Sequence, residues 1–198
     1  MGIRMEIQQS IVPATPASGL ESSVELVHLF DKFLAIRAFV LDVDGVMTDN
    51  SVHVTESGEQ LRQMSVRDGL GLKIALKNGF PVCIITGGRS HGVIKRLSGL
   101  GIEHIYSGVE DKWPVFQQFL SSYRLKASEI CYMGDDLPDI QILRKVGLSA
   151  CPIDAVPEVL GIVDYISPIA GGKGCVRDVV EKVLKSQGKF LFDTESSA

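Results

Sequence analysis

The sequence predicts an α/β protein with a doubly wound, Rossmann-like parallel sheet. Three observations predict it. Short apolar runs, among them Ile36 to Leu41, Val82 to Ile85 and Ile130 to Met133, stop at turn residues, which marks buried strands. Segments with helical spacing lie between these runs, and strand–helix alternation makes parallel sheets. Three of the runs also end in polar residues: Asp42 with Asp44, Thr86, and Asp135, Asp136 with Asp139. Open α/β sheets place ligands at the carboxyl ends of their strands.

Composition bounds the function. A chain of 198 residues with 45% hydrophobic and 22% charged residues suits one ordinary globular domain. A net charge of -4 with no basic stripe argues against a nucleic-acid partner. No apolar stretch reaches the length of a membrane-spanning helix, so no membrane partner is expected. Cys83, Cys131, Cys151 and Cys175 are scattered, without a C-x-x-C pair. They read as reduced thiols in a cytoplasmic protein, with no cysteine metal site.

In chain order, residues 1–20 lack both periodicity and a secretory pattern and read as a mobile or extended arm. Residues 21–188 are expected to form a single domain, with 189–198 as a tail. A helix over 22–34 carries Val24, Val27, Phe30, Phe33 and Leu34 on one face, capped by Ser22 or Ser23. The first strand, 36–41, leads to a β-hairpin within 51–65, where Val52 and Val54 alternate with polar residues around a Glu56–Glu59 turn. Asp68 is expected to cap a helix to Asn78, with Gly79 and Pro81 ending it. Strand 82–85, helix 90–97, strand 103–106 and a helix opened by Asp111 and running to Tyr123 come next. Then come strand 130–133, helix 137–145, strand 148–150, a helix near 155–160 and strand 163–166. The last helix lies between Gly174 and Gly188.

Asp42 and Asp44 are two carboxylates separated by one valine at the end of the first strand. Strand side chains alternate, so both would face one site unless the chain turns before Asp44. Like charges that close need neutralising, and an oxygen-seeking divalent cation suits them. Lys112 stands in the first turn of its helix, where the helix dipole disfavours a cation by a few tenths to ~1 kcal/mol. A lysine there suggests a purpose other than helix stability.

Taken together, Asp42-Val43-Asp44-Gly45-Val46-Met47-Thr48, Thr86, Lys112, and Gly134-Asp135-Asp136 with Asp139 resemble the four motifs of the haloacid dehalogenase superfamily. Within it, Phe39 to Asp49, Val66-Arg67-Asp68-Gly69, Ile84 to Gly87, Met133 to Asp136 and Ala170 to Arg177 resemble the phosphatases of 3-deoxy-D-manno-octulosonate 8-phosphate. Those enzymes act in bacterial lipopolysaccharide synthesis. The resemblance covers about residues 25–188.

The resemblance implies a Mg²⁺-dependent phosphoric monoester hydrolase. Asp42 would be the nucleophile and form an aspartyl-phosphate; Asp44 would be the general acid and then the base. Mg²⁺ would be held by Asp42, the main-chain carbonyl of Asp44, and Asp135. Thr86 and the Gly87 backbone would hold phosphate oxygens, and Lys112 would neutralise charge. Asp136 and Asp139 would orient metal-bound waters or Lys112. Arg67, Arg89 and Lys173 are candidate clamps for the substrate's anionic groups.

The stretches from Asp42 to Thr86 and from Thr86 to Lys112 are already filled by predicted elements, so neither holds a cap domain. The resemblance implies a tetramer, as in capless relatives. A homo-oligomer is therefore expected, with hairpins associating and the Gly171–Gly174 loop and the helix behind it closing over a neighbour's site. Three alternatives remain open. One is a phosphatase for a nine-carbon keto-sugar acid phosphate. The others are a non-catalytic interaction domain of the same fold and a phospho-accepting receiver.

Overall fold

The computed structural model describes residues 28–190. The expected arm, the first turns of the 22–34 helix and residues 191–198 of the expected tail lie outside the described residues. The chain enters with helix α1 (residues 28–35) and strand β1 (Ala38–Leu41), then a hairpin of β2 (His53–Val54) and β3 (Gln60–Leu61). Next come α2 (Val66–Lys77), β4 (Val82–Thr86), α3 (His91–Ser98), β5 (His104–Ser107), α4 (Lys112–Tyr123) and β6 (Ile130–Met133). The chain ends in α5 (Ile140–Leu143), β7 (Leu148–Pro152), α6 (Pro157–Leu160), β8 (Tyr165–Ser167) and α7 (Cys175–Ser186).

Six strands form one parallel sheet in the order β5-β4-β1-β6-β7-β8. The chain starts in the middle, winds outward through β4 and β5, then crosses back to β6 on the other side of β1. That reversal opens a crevice at the carboxyl ends of β1, β4 and β6, where doubly wound sheets bind ligands. Alternation sends Phe39 and Leu41 into a core shared with Leu72, Val176 and Val183 of α2 and α7. Ala38 and Val40 enter the opposite core, with Phe116 and Phe119 of α4. Both faces of β1 are thus buried, as its unbroken apolar run requires. Among the described residues, no helix is long and apolar enough to cross a membrane. All four cysteines are free and buried.

Local signals place several helices well. Ser90 caps α3 through Val93 N–H, and Asp111 caps α4 through Trp113 N–H. Asp68 departs from expectation. Ser65 caps α2 instead, and Asp68 falls inside the first turn. Its buried carboxylate accepts the Arg177 N–H at 2.8 Å, so Asp68 caps the neighbouring α7. The expected 137–145 helix is a 3-10 turn, Leu137–Asp139, followed by the single turn of α5. β1 starts two residues later than expected, and β7 runs two residues longer.

The Gly171–Gly174 loop and its helix, expected to close over a neighbour's site, are built into their own chain. Gly171 donates to Asp154 at 2.9 Å, and Gly172 donates to the Val46 carbonyl at 2.9 Å. A Cβ on Gly171 would come within 2.0 Å of the Gly45 carbonyl oxygen. The loop is packed against its own chain's β1 turn, and α7 buries Val176, Val179, Val180, Val183 and Leu184 in the core.

Candidate active site

The Asp42 N–H donates to the Met133 carbonyl at 3.0 Å, continuing the β1–β6 ladder one residue past the strand. The chain then folds into a tight turn in which the Val43 carbonyl accepts from Val46, Met47 and Thr48. Gly45 enters that turn at φ +85, and a Cβ there would overlap the Asp135 carboxylate at 1.9 Å. The turn comes before Asp44, so the two acids part company. Asp42 faces Lys112 and Asp139, whereas Asp44 faces Arg62.

Lys112 is 6% exposed and lies 2.7 Å from Asp139 Oδ1 and 3.0 Å from Asp42 Oδ1. Two carboxylates in a poorly solvated site outweigh the small helix-dipole penalty. Burial pulls the Lys112 ammonium's pKa down, but the charges of Asp42 and Asp139 leave it above the ordinary lysine value. Asp139 is fully engaged. Its Oδ1 accepts from Lys112 and the Tyr132 hydroxyl, and its Oδ2 accepts from the N–H groups of Asp135 and Asp136. Gly134 makes room for it: a Cβ there would lie 2.3 Å from the Asp139 carboxyl carbon. Asp136 is exposed and caps the 3-10 turn through Leu137 N–H.

Carboxylate oxygens of Asp42, Asp135 and Asp139 lie within 4.8 Å of one another. Asp139 is spent on its four donors. Oδ1 of Asp135 is buried without a hydrogen bond, and the buried Oδ1 of Asp42 has the Lys112 ammonium beside it at 3.0 Å. Burial, then the charge of Asp139, pushes Asp42 up to about 7. Burial, then the charges of Asp42 and Asp139, pushes Asp135 up to about 8. Crowded buried carboxylates that share a single lysine are costly, and Asp42 with Asp135 fits a small oxygen-seeking divalent cation.

Thr86 ends β4 at 4% exposure, with its Oγ1 accepting the Gly88 N–H at 3.1 Å. Asp44, Arg62, Thr86 and Gly88 line a narrow slot beside the acid cluster. A larger cavity of about 890 Å³ opens between the hairpin and the 87–93 segment, with Arg62, Gly87, Arg89, His91 and Arg96 in its walls. Of the expected clamps, Arg89 lines this cavity. Arg67 is exposed on the first turn of α2, outside the lining of both spaces. Lys173 is exposed and pairs with Asp49 at 3.3 Å.

Arg62 escaped the sequence reading. It donates Nε–H to Asp44 Oδ1 at 2.7 Å and Nη2–H to Oδ2 at 3.3 Å. The signal was present: Leu61 and Gln63 share one phase of the hairpin strand, and Arg62 is on the other.

An aspartate cluster with a buried lysine, at the switch point of a capless doubly wound sheet, defines an aspartate-based phosphohydrolase site of the haloacid dehalogenase superfamily. A Legionella pneumophila hydrolase of that superfamily, subfamily III A, superposes with TM-score 0.84 at 36% identity, covering 86% of this chain and 94% of its own. No family model matches the chain. The 3-deoxy-D-manno-octulosonate 8-phosphate phosphatase KdsC of Salmonella typhi is 40% identical over 163 residues, 82% of this chain and 87% of the relative. The 3-deoxy-D-manno-octulosonate 8-phosphate phosphatase of Moraxella catarrhalis, solved with magnesium, phosphate and KDO, gives TM-score 0.79 at 34% identity, covering 82% of this chain and 93% of its own. The chain belongs to the 3-deoxy-D-manno-octulosonate 8-phosphate phosphatase family.

Proposed function

We infer that the protein is a Mg²⁺-dependent phosphatase that hydrolyses 3-deoxy-D-manno-octulosonate 8-phosphate to the free sugar acid and phosphate, in lipopolysaccharide precursor synthesis. The observation that carries the reading is Asp42, buried at the sheet's switch point between the Lys112 ammonium and the Asp135 carboxylate. The family membership of the chain supports the substrate.

The chain's residues take these roles. Asp42 attacks phosphorus, forming an aspartyl-phosphate and splitting one hard displacement into two easier ones. Asp44 gives a proton to the departing sugar oxygen and later takes one from the attacking water. Thr86 and the Gly87 backbone hold phosphate oxygens, and Lys112, fixed by Asp139, balances the charge of nucleophile and phosphoryl group. Asp42, Asp135 and the Asp44 carbonyl would hold Mg²⁺, which when bound supplies charge neutralisation between the anionic nucleophile and the phosphate. Arg89, at the wall of the large cavity, is the best supported of the substrate clamps; Arg67 and Lys173 rest on resemblance alone.

Residues 21–188 are taken as one phosphatase domain. Four free, buried thiols suit a reducing compartment such as the cytoplasm. A homo-oligomer, most simply a tetramer, is also proposed. Its support is the hairpin, which exposes Val52, Val54 and Leu61 at 42%, 68% and 54%. The test of function is phosphate release from a panel of sugar-acid phosphates with Mg²⁺. Preferred turnover of the eight-carbon 8-phosphate is expected; preference for a nine-carbon 9-phosphate, or no turnover, would overturn the reading.

A further inference from the structure

We propose that Arg62 is a positioning residue for Asp44, through which the hairpin aims the acid/base at the leaving oxygen. This rests on the acid/base reading of Asp44. Residues 51–65 are mostly exposed, yet the Arg62 side chain is 7% exposed. Its Nε–H and Nη2–H grip the two Asp44 oxygens as a fork, and its Nη1–H reaches back to the Gln60 carbonyl at 3.4 Å. One guanidinium therefore joins the hairpin backbone to the carboxylate.

The surroundings are shaped for that pair. A Cβ on Gly88 would come 2.8 Å from Asp44 Oδ2 and 3.3 Å from Arg62 Nη2. A side chain at Gly88 would push against the pair as it stands, and Thr86, the expected phosphate contact, lines the same slot. Asp44 is separated from Lys112 by the turn after Asp42, so Arg62 is the cation that orients it. An aspartate held by one strong bond can swing, whereas a bidentate fork fixes the carboxylate plane. Misplacing a reacting group by ~1 Å can cost about a hundredfold in rate. The longer contact, at Oδ2, marks the oxygen better able to leave the fork for the substrate.

In the first step the Asp42 oxygen bonds to phosphorus, the bond from phosphorus to the leaving oxygen breaks, and Asp44 supplies that oxygen's proton. In the second, water's oxygen bonds to phosphorus, its proton returns to Asp44, and the bond to Asp42 breaks. Nitrophenolate leaves without needing a proton, while a sugar alkoxide does not. The two leaving groups therefore separate the placement of Asp44 from the rest of the site.

The experiment is rapid mixing of Arg62→Ala, Arg62→Lys and Asp44→Asn with p-nitrophenyl phosphate and with the sugar-acid phosphate, in Mg²⁺. For Arg62→Ala, the first-turnover release of nitrophenolate should stay close to that of the unaltered protein. Steady-state turnover, and the first step with the sugar phosphate, should fall about tenfold or more, a part of the ~10²–10⁴ that a general acid/base contributes. Arg62→Lys, which cannot form the fork, should recover only part of the loss. Asp44→Asn should show the same split more deeply. If Asp44→Asn lacks the split, the acid/base reading fails and the proposal with it. If Asp44→Asn shows it and Arg62→Ala slows both leaving groups equally, or raises KM with kcat intact, the positioning role alone is overturned.

Discussion

Replacing Asp135 with asparagine should stabilise the metal-free protein while removing its activity. Asp42, Asp135 and Asp139 crowd one buried site with Lys112 as their cation, and Asp135 Oδ1 has no hydrogen-bond donor. Burial and its neighbours push Asp135 from 3.8 up to about 8. The folded state thus holds this proton more tightly than the unfolded chain. The stability it contributes is fully present below pH 3.8 and is lost as the pH climbs to about 8. At ~1.36 kcal/mol per unit the gap would be worth about 6 kcal/mol, an upper bound because Asp42 shares the same titration. Asparagine keeps the shape and removes the charge, but its amide needs partners at a cost of about 1–3 kcal/mol. The net gain should be about 1–3 kcal/mol at pH 8 in chelator, or roughly 2–10 °C in Tm for a chain of this size. The assay is thermal unfolding of both proteins in excess chelator from pH 5 to pH 8. The advantage of the variant should grow with pH, and saturating Mg²⁺ should favour the unaltered protein. A variant no more stable than its parent at pH 8, or a difference that does not change with pH, would refute the electrostatic account of this cluster.

Asp42→Asn should abolish phosphate release while leaving the circular dichroism spectrum unchanged; retained turnover in a pure preparation would eliminate the aspartyl-phosphate mechanism. Lys112→Met should cost about a hundredfold or more in kcat, because a preorganised charge at the reacting group is lost, and kinetics on a sugar phosphate will show it. Sites shared between subunits can be probed by mixing Asp42→Asn with a chain cut after Phe190. The cut must come this late because α7 is part of the core. Recovered activity in hybrid assemblies is expected, and a fully active monomer in sedimentation would argue against completion in trans.

Legible in the sequence were the strand at Ile130–Met133, the strand over 82–85 that the structure extends to Thr86, the caps at Ser90 and Asp111, and the places of Asp42, Thr86, Lys112 and Asp135 at strand ends or a helix start. Each of these depends on residues a few positions apart: an apolar run, a cap beside its helix, an acid after a strand. The pairings were decided only by the tertiary structure. Arg62 and Arg67 are both arginines near one hairpin, yet one is clasped by Asp44 and the other is exposed. Asp68 reads as the cap of its own helix, but it caps α7, more than a hundred residues further on. Asp139 is one of several acids after β6, and it alone is drawn under the sheet edge by Tyr132 and Lys112. Asp42 and Asp44 are alternate residues that strand geometry would aim together, until the turn at Val43–Thr48 separates them. Local propensity depends on neighbours in sequence. A charge's partner depends on which strands are wound beside one another, and the order β4-β1-β6 is what brings these residues to one crevice.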